Sequence, residues 1–194
     1  MTDIATTYHP QPVCGLDTWM PVPARITAVK EENFNTRTYR IEIIDTPIRQ
    51  AYRWVPGQFN MLYVPGVGEA AISISSDCER PEYLEHTIRM VGSVTRAIDR
   101  LGQGGLIGLR GPFGTGWPLA QLEGRDVVIL AGGIGLAPLR PVVYWLLHHR
   151  QRVHRVVLLF GCRTPPDRIY IDELEAWEAQ RQIDVLVTVD NATP

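Results

Sequence analysis

The chain has 194 residues, 45% of them hydrophobic, and its 19 lysines and arginines against 21 aspartates and glutamates leave a formal net charge of −2. That length supplies core for one large domain or two small ones, and the absence of a basic excess excludes a phosphate-backbone partner, so no nucleic acid is expected. No apolar run approaches membrane-spanning length, and residues 1–8 lack the basic start and apolar stretch of a signal peptide, so the expectation is a cytoplasmic chain with no membrane span.

In chain order, residues 1–22 carry three prolines and read as a tail or strap. From residue 23 to 118 short β-rich runs follow one another at Arg25–Val29, Thr38–Ile44, Gln58–Val64, Ala71–Ser75, His86–Val91 and Leu106–Arg110. Glycine and proline separate most of them, which predicts an antiparallel β-barrel. One helix, about Ser93 to Leu101, interrupts the set. The Pro112–Gly124 segment is the expected hinge, and from 119 to 194 the texture changes. Strand Val127–Ala131, helix Leu136–His149, strand Val156–Phe160, helix Asp172–Arg181 and strand Asp184–Val189 alternate, which predicts a parallel sheet with right-handed crossovers. Cys14, Cys78 and Cys162 lie too far apart for ligand or redox-pair spacing, so no metal site is drawn from these residues.

Two glycine clusters carry the chemistry. In Val127-Val-Ile-Leu-Ala-Gly-Gly-Ile-Gly-Leu-Ala-Pro138 a buried strand runs into a turn whose Gly132, Gly133 and Gly135 let backbone approach a ligand, and the next helix aims its free N–H groups at an anion. A tight turn without ligand reads equally well from these glycines alone. Upstream, Gly92-Ser-Val-Thr95 opens the Ser93–Leu101 helix, where Ser93 reads as a helix cap and, compatibly with that, its N–H with those of Val94 and Thr95 and the Thr95 hydroxyl reads as a phosphate site. An aspartate or glutamate about 20 residues past the glycines, usual in a Rossmann dehydrogenase, is replaced by Gly161 and Arg163 at the end of the second strand. A Rossmann dehydrogenase would also open with its glycine turn instead of placing it after a long β-rich region.

Pro56-Gly-Gln-Phe-Asn-Met-Leu62, Ala70-Ala-Ile-Ser-Ile-Ser-Ser76, Thr87 to Ala97, Gly111-Pro-Phe-Gly-Thr-Gly-Trp-Pro118 and the Val127 strand-turn-helix occur in this order. Together they resemble the ferredoxin-NADP reductase superfamily, most closely the flavin subunit of soluble [NiFe]-hydrogenases (sulfhydrogenase gamma), its counterpart in anaerobic sulfite reductase and the dihydroorotate dehydrogenase electron-transfer subunit. The resemblance runs from about Pro23 to Asp190. It implies a flavin-binding β-barrel followed by a Rossmann-like NAD(P)-binding domain, and a flavin-dependent oxidoreductase passing electrons between NAD(P)H and an iron–sulfur partner with hydrogenase-type catalytic subunits. FAD is favoured, with FMN open.

The family's Arg-x-Tyr-Ser strand falls on Ala70, Ala71, Ile72 and Ser73, so its phosphate arginine and stacking tyrosine are lost at Ala70 and Ile72. Ser73 keeps the role beside flavin N5, followed by Ile74 and Ser75. Gly92, Ser93, Val94 and Thr95 would take the flavin pyrophosphate, with Arg89 and Arg96 neutralising it. Gly132, Gly133, Gly135 and Pro138 would take the nicotinamide nucleotide, Arg163 its adenine or phosphate, and Asp190 would favour NADH by repelling a 2′-phosphate. No side chain need act as acid or base, and His86, His148, His149 and His154 read as structural or exposed. A 2Fe-2S cluster is expected only in a C-terminal region beyond Pro194. The family's five-stranded order, 3-2-1-4-5, then leaves Val127–Ala131 at an edge, so a truncated form or a subunit completed by a partner is expected. The alternative is a non-catalytic flavin-binding scaffold subunit.

Overall fold

The computed structural model describes residues 19–192, so the expected tail at 1–22 lies mostly outside the described residues, as does Cys14. Six antiparallel strands come first: β1 Val22–Asn33, β2 Thr36–Ile43, β3 Phe59–Val64, β4 Gly68–Ser73, β5 Leu84–Arg89 and β6 Leu106–Phe113. Their order in the sheet is β4-β3-β6-β1-β2-β5. Beyond the end of β4 the sheet closes on itself, where Ser75 N donates to Glu85 O at 2.9 Å. Alternation fills the barrel: Asn60, Leu62 and Val64 of β3 point in beside Ile26, Tyr39, Ile41, Ile88 and Leu109, and Ile98 of α2 (Ser93–Leu101) seals one side.

β1 is more than twice as long as expected because two register shifts, between Ile26 and Ala28 and between Glu31 and Asn33, bend it without ending its pairing with β2. A short helix, α1 (Thr46–Ala51), was not expected. Its signal is Asp45, whose side chain accepts from Ile48 N at 2.9 Å, with Pro47 in the first turn.

The second unit is a parallel three-stranded sheet in the order β7-β8-β9, formed by Val127–Gly132, Val156–Cys162 and Asp184–Val189. Helices α3 (Leu136–His148) and α4 (Ile171–Ala179) cover one face, where Leu136, Val143, Leu146, Leu174 and Trp177 pack on Ile129, Leu158 and Phe160. Among the described residues nothing covers the other face. Val128 (64% exposed) and Leu130 (76%) on β7 share it with Leu186 (57%) on β9, and β7 lies at the sheet edge. An apolar face beside a free edge favours pairing with another chain. The chain is therefore expected to self-associate, and Leu130→Lys should shift it toward monomer in sedimentation velocity at unchanged secondary structure. A wild-type chain that is monomeric at every concentration would refute this. No helix among the described residues is long and apolar enough to cross a membrane.

Candidate functional site: the cleft between barrel and parallel sheet

The order of strands makes β4 and β5 antiparallel across the barrel closure. With Ser75 beside Glu85, β5 therefore carries its last residue, Arg89, back toward the Ala70–Ala71 stretch of β4. Helix α2 starts just after it. Gly92 is the N-cap and Ser93 the first helical residue, which corrects the reading of Ser93 as the cap. Val91, Gly92 and Ser93 are exposed, so the first-turn N–H groups face open space. Val94 rests over the start of β4, 3.6 Å from where a Gly68 Cβ would stand.

Thr95 departs from its expected role. Its hydroxyl accepts from Gly92 N at 3.0 Å and Val91 N at 3.1 Å and donates to Gly92 O at 3.2 Å. It is buried and shapes the turn, so the Thr95 hydroxyl is not presented outward. Ser73, at the end of β4, is half-exposed, and its hydroxyl makes no hydrogen bond among the described residues. Ile72 rests partly on the barrel core, while Ile74 and Ser75 are fully enclosed. Ser75 therefore belongs to the wall behind the site: its hydroxyl lies 3.1 Å from Thr87 Oγ1.

Across the cleft, Gly132 ends β7 and a single 3-10 turn, Gly133–Gly135, leads into α3. Gly133 has φ +51, a backbone that disfavours side chains, and a Cβ there would stand 3.4 Å from Arg89 Nη2. Gly132 and Gly135 have nothing within 4 Å of an added Cβ. The guanidinium of Arg89 thus reaches the β7–α3 turn, while its backbone leads into α2, three residues before the Gly92 N-cap. Its Nε is buried without a hydrogen-bond partner among the described residues. Pro138 sits in the first turn of α3, where its missing N–H removes no intrahelical bond. Arg163 and Asp190 are exposed at the carboxyl ends of β8 and β9, held adjacent by Asp190 N to Cys162 O at 3.0 Å and Asn191 N to Arg163 O at 2.9 Å.

One residue that the sequence reading passed over fastens the two sides together. Arg140, on α3 and 7% exposed, donates to the Ser75 carbonyl at 3.1 Å and pairs with Glu85 at 3.0 Å and Glu173 at 2.5 Å. Its guanidinium also lies 4.5 Å from the Tyr170 ring centroid. Burial works to raise the Glu85 carboxyl, but the Arg140 charge and the bonds from Arg40 and Arg140 outweigh it and hold Glu85 below the usual range. Tyr170 adds a second fastening: its backbone N–H donates to Glu32 at 2.9 Å and its hydroxyl meets Thr87 Oγ1. At the far end of α3, His148 Nε2 lies 2.7 Å from Asp77 and His149 Nδ1 lies 3.2 Å from Glu79. These histidines join the two units and are not bystanders at a helix end. The one sequence signal for Arg140 is a lone charge inside Leu136-Ala-Pro-Leu-Arg-Pro-Val-Val.

The Oxidoreductase NAD-binding domain family matches residues 129–193. The chain is 35% identical over 152 residues to sulfhydrogenase 2 subunit gamma of Pyrococcus furiosus, covering 78% of this chain and 52% of the relative. It is 37% identical over 141 residues to a probable dihydroorotate dehydrogenase B (NAD(+)) electron transfer subunit of Methanopyrus kandleri, covering 73% and 49%. A ferredoxin NADP+ reductase of Neisseria gonorrhoeae, solved with bound FAD and NADP, superposes at TM-score 0.72 with 26% identity over 89% of this chain and 70% of that one. The chain belongs to the ferredoxin-NADP reductase superfamily. It spans about half the length of the curated relatives it matches.

Set in this superfamily, the chain keeps the antiparallel barrel followed by a parallel sheet, and Ala70 and Ile72 stand on β4 where the motif's arginine and tyrosine are missing. Arg89 ends β5, which faces β4 across the barrel closure, and its guanidinium reaches Gly133. Where the tyrosine is missing, Ile72 offers an apolar surface backed by the core. Among the described residues no group of three histidines, cysteines, aspartates or glutamates is placed to hold a metal ion.

Proposed function

We propose that this chain is a cytoplasmic flavin-dependent electron-transfer subunit that passes electrons between NAD(P)H and an iron–sulfur partner, as part of a larger oxidoreductase of the hydrogenase type. The observation that carries the reading is Arg89. A buried guanidinium Nε with no hydrogen-bond partner among the described residues, on a side chain that reaches the Gly133 turn, calls for anionic oxygen, and the helix starts after Gly92 and Gly135 would add backbone N–H donors. The residues present fit a dinucleotide flavin. Ser93 and Val94 would bind its pyrophosphate through backbone N–H groups with Arg89 supplying charge, Ile72 would carry the ring, and the free Ser73 hydroxyl would meet its polar edge.

A bound flavin supplies the exchange between a two-electron hydride donor and a one-electron acceptor. The protein's part is to hold the two cofactors in line and keep water out, which Arg140 serves by fixing α3 against Ser75. Gly132, Gly133, Gly135 and Pro138 would cradle the nicotinamide nucleotide, with Arg163 and Asp190 at its adenosine end. The Asp190 carboxylate opposes a 2′-phosphate, so NADH is the proposed donor.

Two variants test this placement. Arg89→Leu is expected to raise the Kd for FAD at least tenfold, about the loss of one charge-assisted hydrogen bond. A Cβ at Gly135 meets no protein atom within 4 Å, so Gly135→Val should fold and lose NADH binding while keeping FAD. Wild-type FAD affinity in a folded Arg89→Leu protein would remove Arg89 from the flavin site. Wild-type NADH titration by Gly135→Val would move the nucleotide elsewhere.

A further inference from the structure

Behind β4 runs a buried polar chain that the flavin reading does not use. Tyr52, just past α1, places its hydroxyl 2.5 Å from Asn60 Oδ1, and Asn60 Nδ2 lies 3.2 Å from His86 Nε2. His86 Nδ1 lies 2.9 Å from the carbonyl oxygen of Ser73. Asn60 and His86 are wholly buried and Tyr52 nearly so. The partners fix the direction of every bond. A carbonyl only accepts, so His86 Nδ1 carries the proton, and the neutral ring then accepts at Nε2 from the amide NH2 of Asn60, whose oxygen accepts from Tyr52. Burial pushes the imidazole down to about 4, so it stays neutral at physiological pH. Asn60 has room only because Gly111 lacks a side chain: a Cβ there would collide with Asn60 Oδ1.

The far end of this chain falls where the strand changes partners. Ser73 is the last residue of β4 and pairs with Phe59 of β3, whereas Ser75 already bonds to Glu85 of β5. The peptide between Ser73 and Ile74 therefore sits at the changeover: its N–H extends the β3–β4 register by one residue, while its C=O has no strand partner. Its C=O takes the His86 proton, and its N–H donates to Gln58 O at 3.0 Å. Gln58 is itself anchored, accepting from Val55 N at 2.9 Å and donating to Gly114 O at 3.1 Å.

We infer that His86, braced by Asn60 and Tyr52, is a positioning residue that locks the Ser73–Ile74 peptide plane and so fixes the Ser73 hydroxyl at the polar edge of the flavin. The inference rests on the flavin reading above. It differs from a packing role because it assigns the effect to one ring nitrogen.

Asparagine places an N–H where histidine has Nδ1, and glutamine reaches where it has Nε2. His86→Asn therefore keeps the bond to Ser73 and loses Asn60, while His86→Gln does the reverse. The expected result is a Kd for FAD within about threefold of wild type in His86→Asn. In His86→Gln it should rise about tenfold, with a shifted flavin visible band and midpoint potential. A packing role would move both variants alike. Equal FAD affinity, spectrum and potential in the two, both folded by circular dichroism, would overturn the inference. A flavin-free check uses the 15N spectrum of the wild-type imidazole, which should show the neutral Nδ1–H form from pH 5 to 8 whether or not the variants fold. An Nε2–H or charged ring would overturn the inference and leave the flavin reading standing. A wild-type chain with that tautomer that takes up no FAD would instead overturn the flavin reading, and the inference with it.

Discussion

Arg140→Met is expected to lower the free energy of unfolding by about 3–5 kcal/mol, the usual cost of breaking a buried ion pair from one side. Methionine replaces the apolar stem but strands the carboxylates of Glu85 and Glu173 and the Ser75 carbonyl, all of which Arg140 satisfies. Glu85 keeps Arg40 at 2.9 Å and Glu173 keeps the Tyr144 hydroxyl at 2.8 Å, so the loss should fall short of abolishing the fold. Removing the stranded charge as well, in Arg140→Met with Glu173→Leu, should recover part of the deficit, because an apolar replacement of the whole pair is close to neutral. Urea unfolding of the three proteins measures this directly. A deficit under about 1 kcal/mol for the single variant would mean that the interface between barrel and parallel sheet is looser than the buried network implies.

Acidification from pH 6.5 to 4 is expected to destabilise the chain through His86 by on the order of 3 kcal/mol. The folded chain holds this imidazole neutral down to about 4 against 6.5 in the unfolded chain, burial being the main cause. The sign follows from proton uptake. Between those values the unfolded state binds a proton that the folded state refuses, so stability is fully present above 6.5 and falls as pH drops toward 4. Carboxylates such as Glu85, held low by Arg140 and Arg40, add a further loss at the acid end. The difference between wild type and His86→Asn isolates the imidazole. Parallel pH profiles for the two proteins would show that His86 titrates normally and is hydrated.

The sequence shows the architecture wherever one periodicity rules a segment. Val127–Gly132 with its glycine turn, α2, and the alternation in β3 announce themselves because one face is buried and local chemistry agrees with it. It marks only the Arg25–Val29 part of β1, whose bulges carry pairing past the point where alternation breaks, and its Asp45–Pro47 helix start is too short to stand out from a turn. The site divides along the same line. Residues proposed to act through their backbone, Gly92, Gly132, Gly133 and Gly135, are visible because glycine leaves a mark in sequence.

Those acting through tertiary partners are not visible. Thr95 looks like a ligand donor until its hydroxyl is seen folded back on Gly92. His86 and Arg140 look incidental until strand pairing sets one against Ser73 and helix docking sets the other against Ser75. Arg89 was within reach as the nearest cation to the Gly92 turn, but its approach to Gly133 needs the fold.

The most direct test of the account is an equilibrium titration of the purified chain with FAD, followed by flavin fluorescence and absorption. The account predicts saturation at one flavin per chain, quenched fluorescence and structured visible bands, with FAD displaced by pyrophosphate-bearing analogues and not by riboflavin. Free-flavin fluorescence and absorption unchanged at all protein concentrations, in a chain folded by circular dichroism, would contradict it.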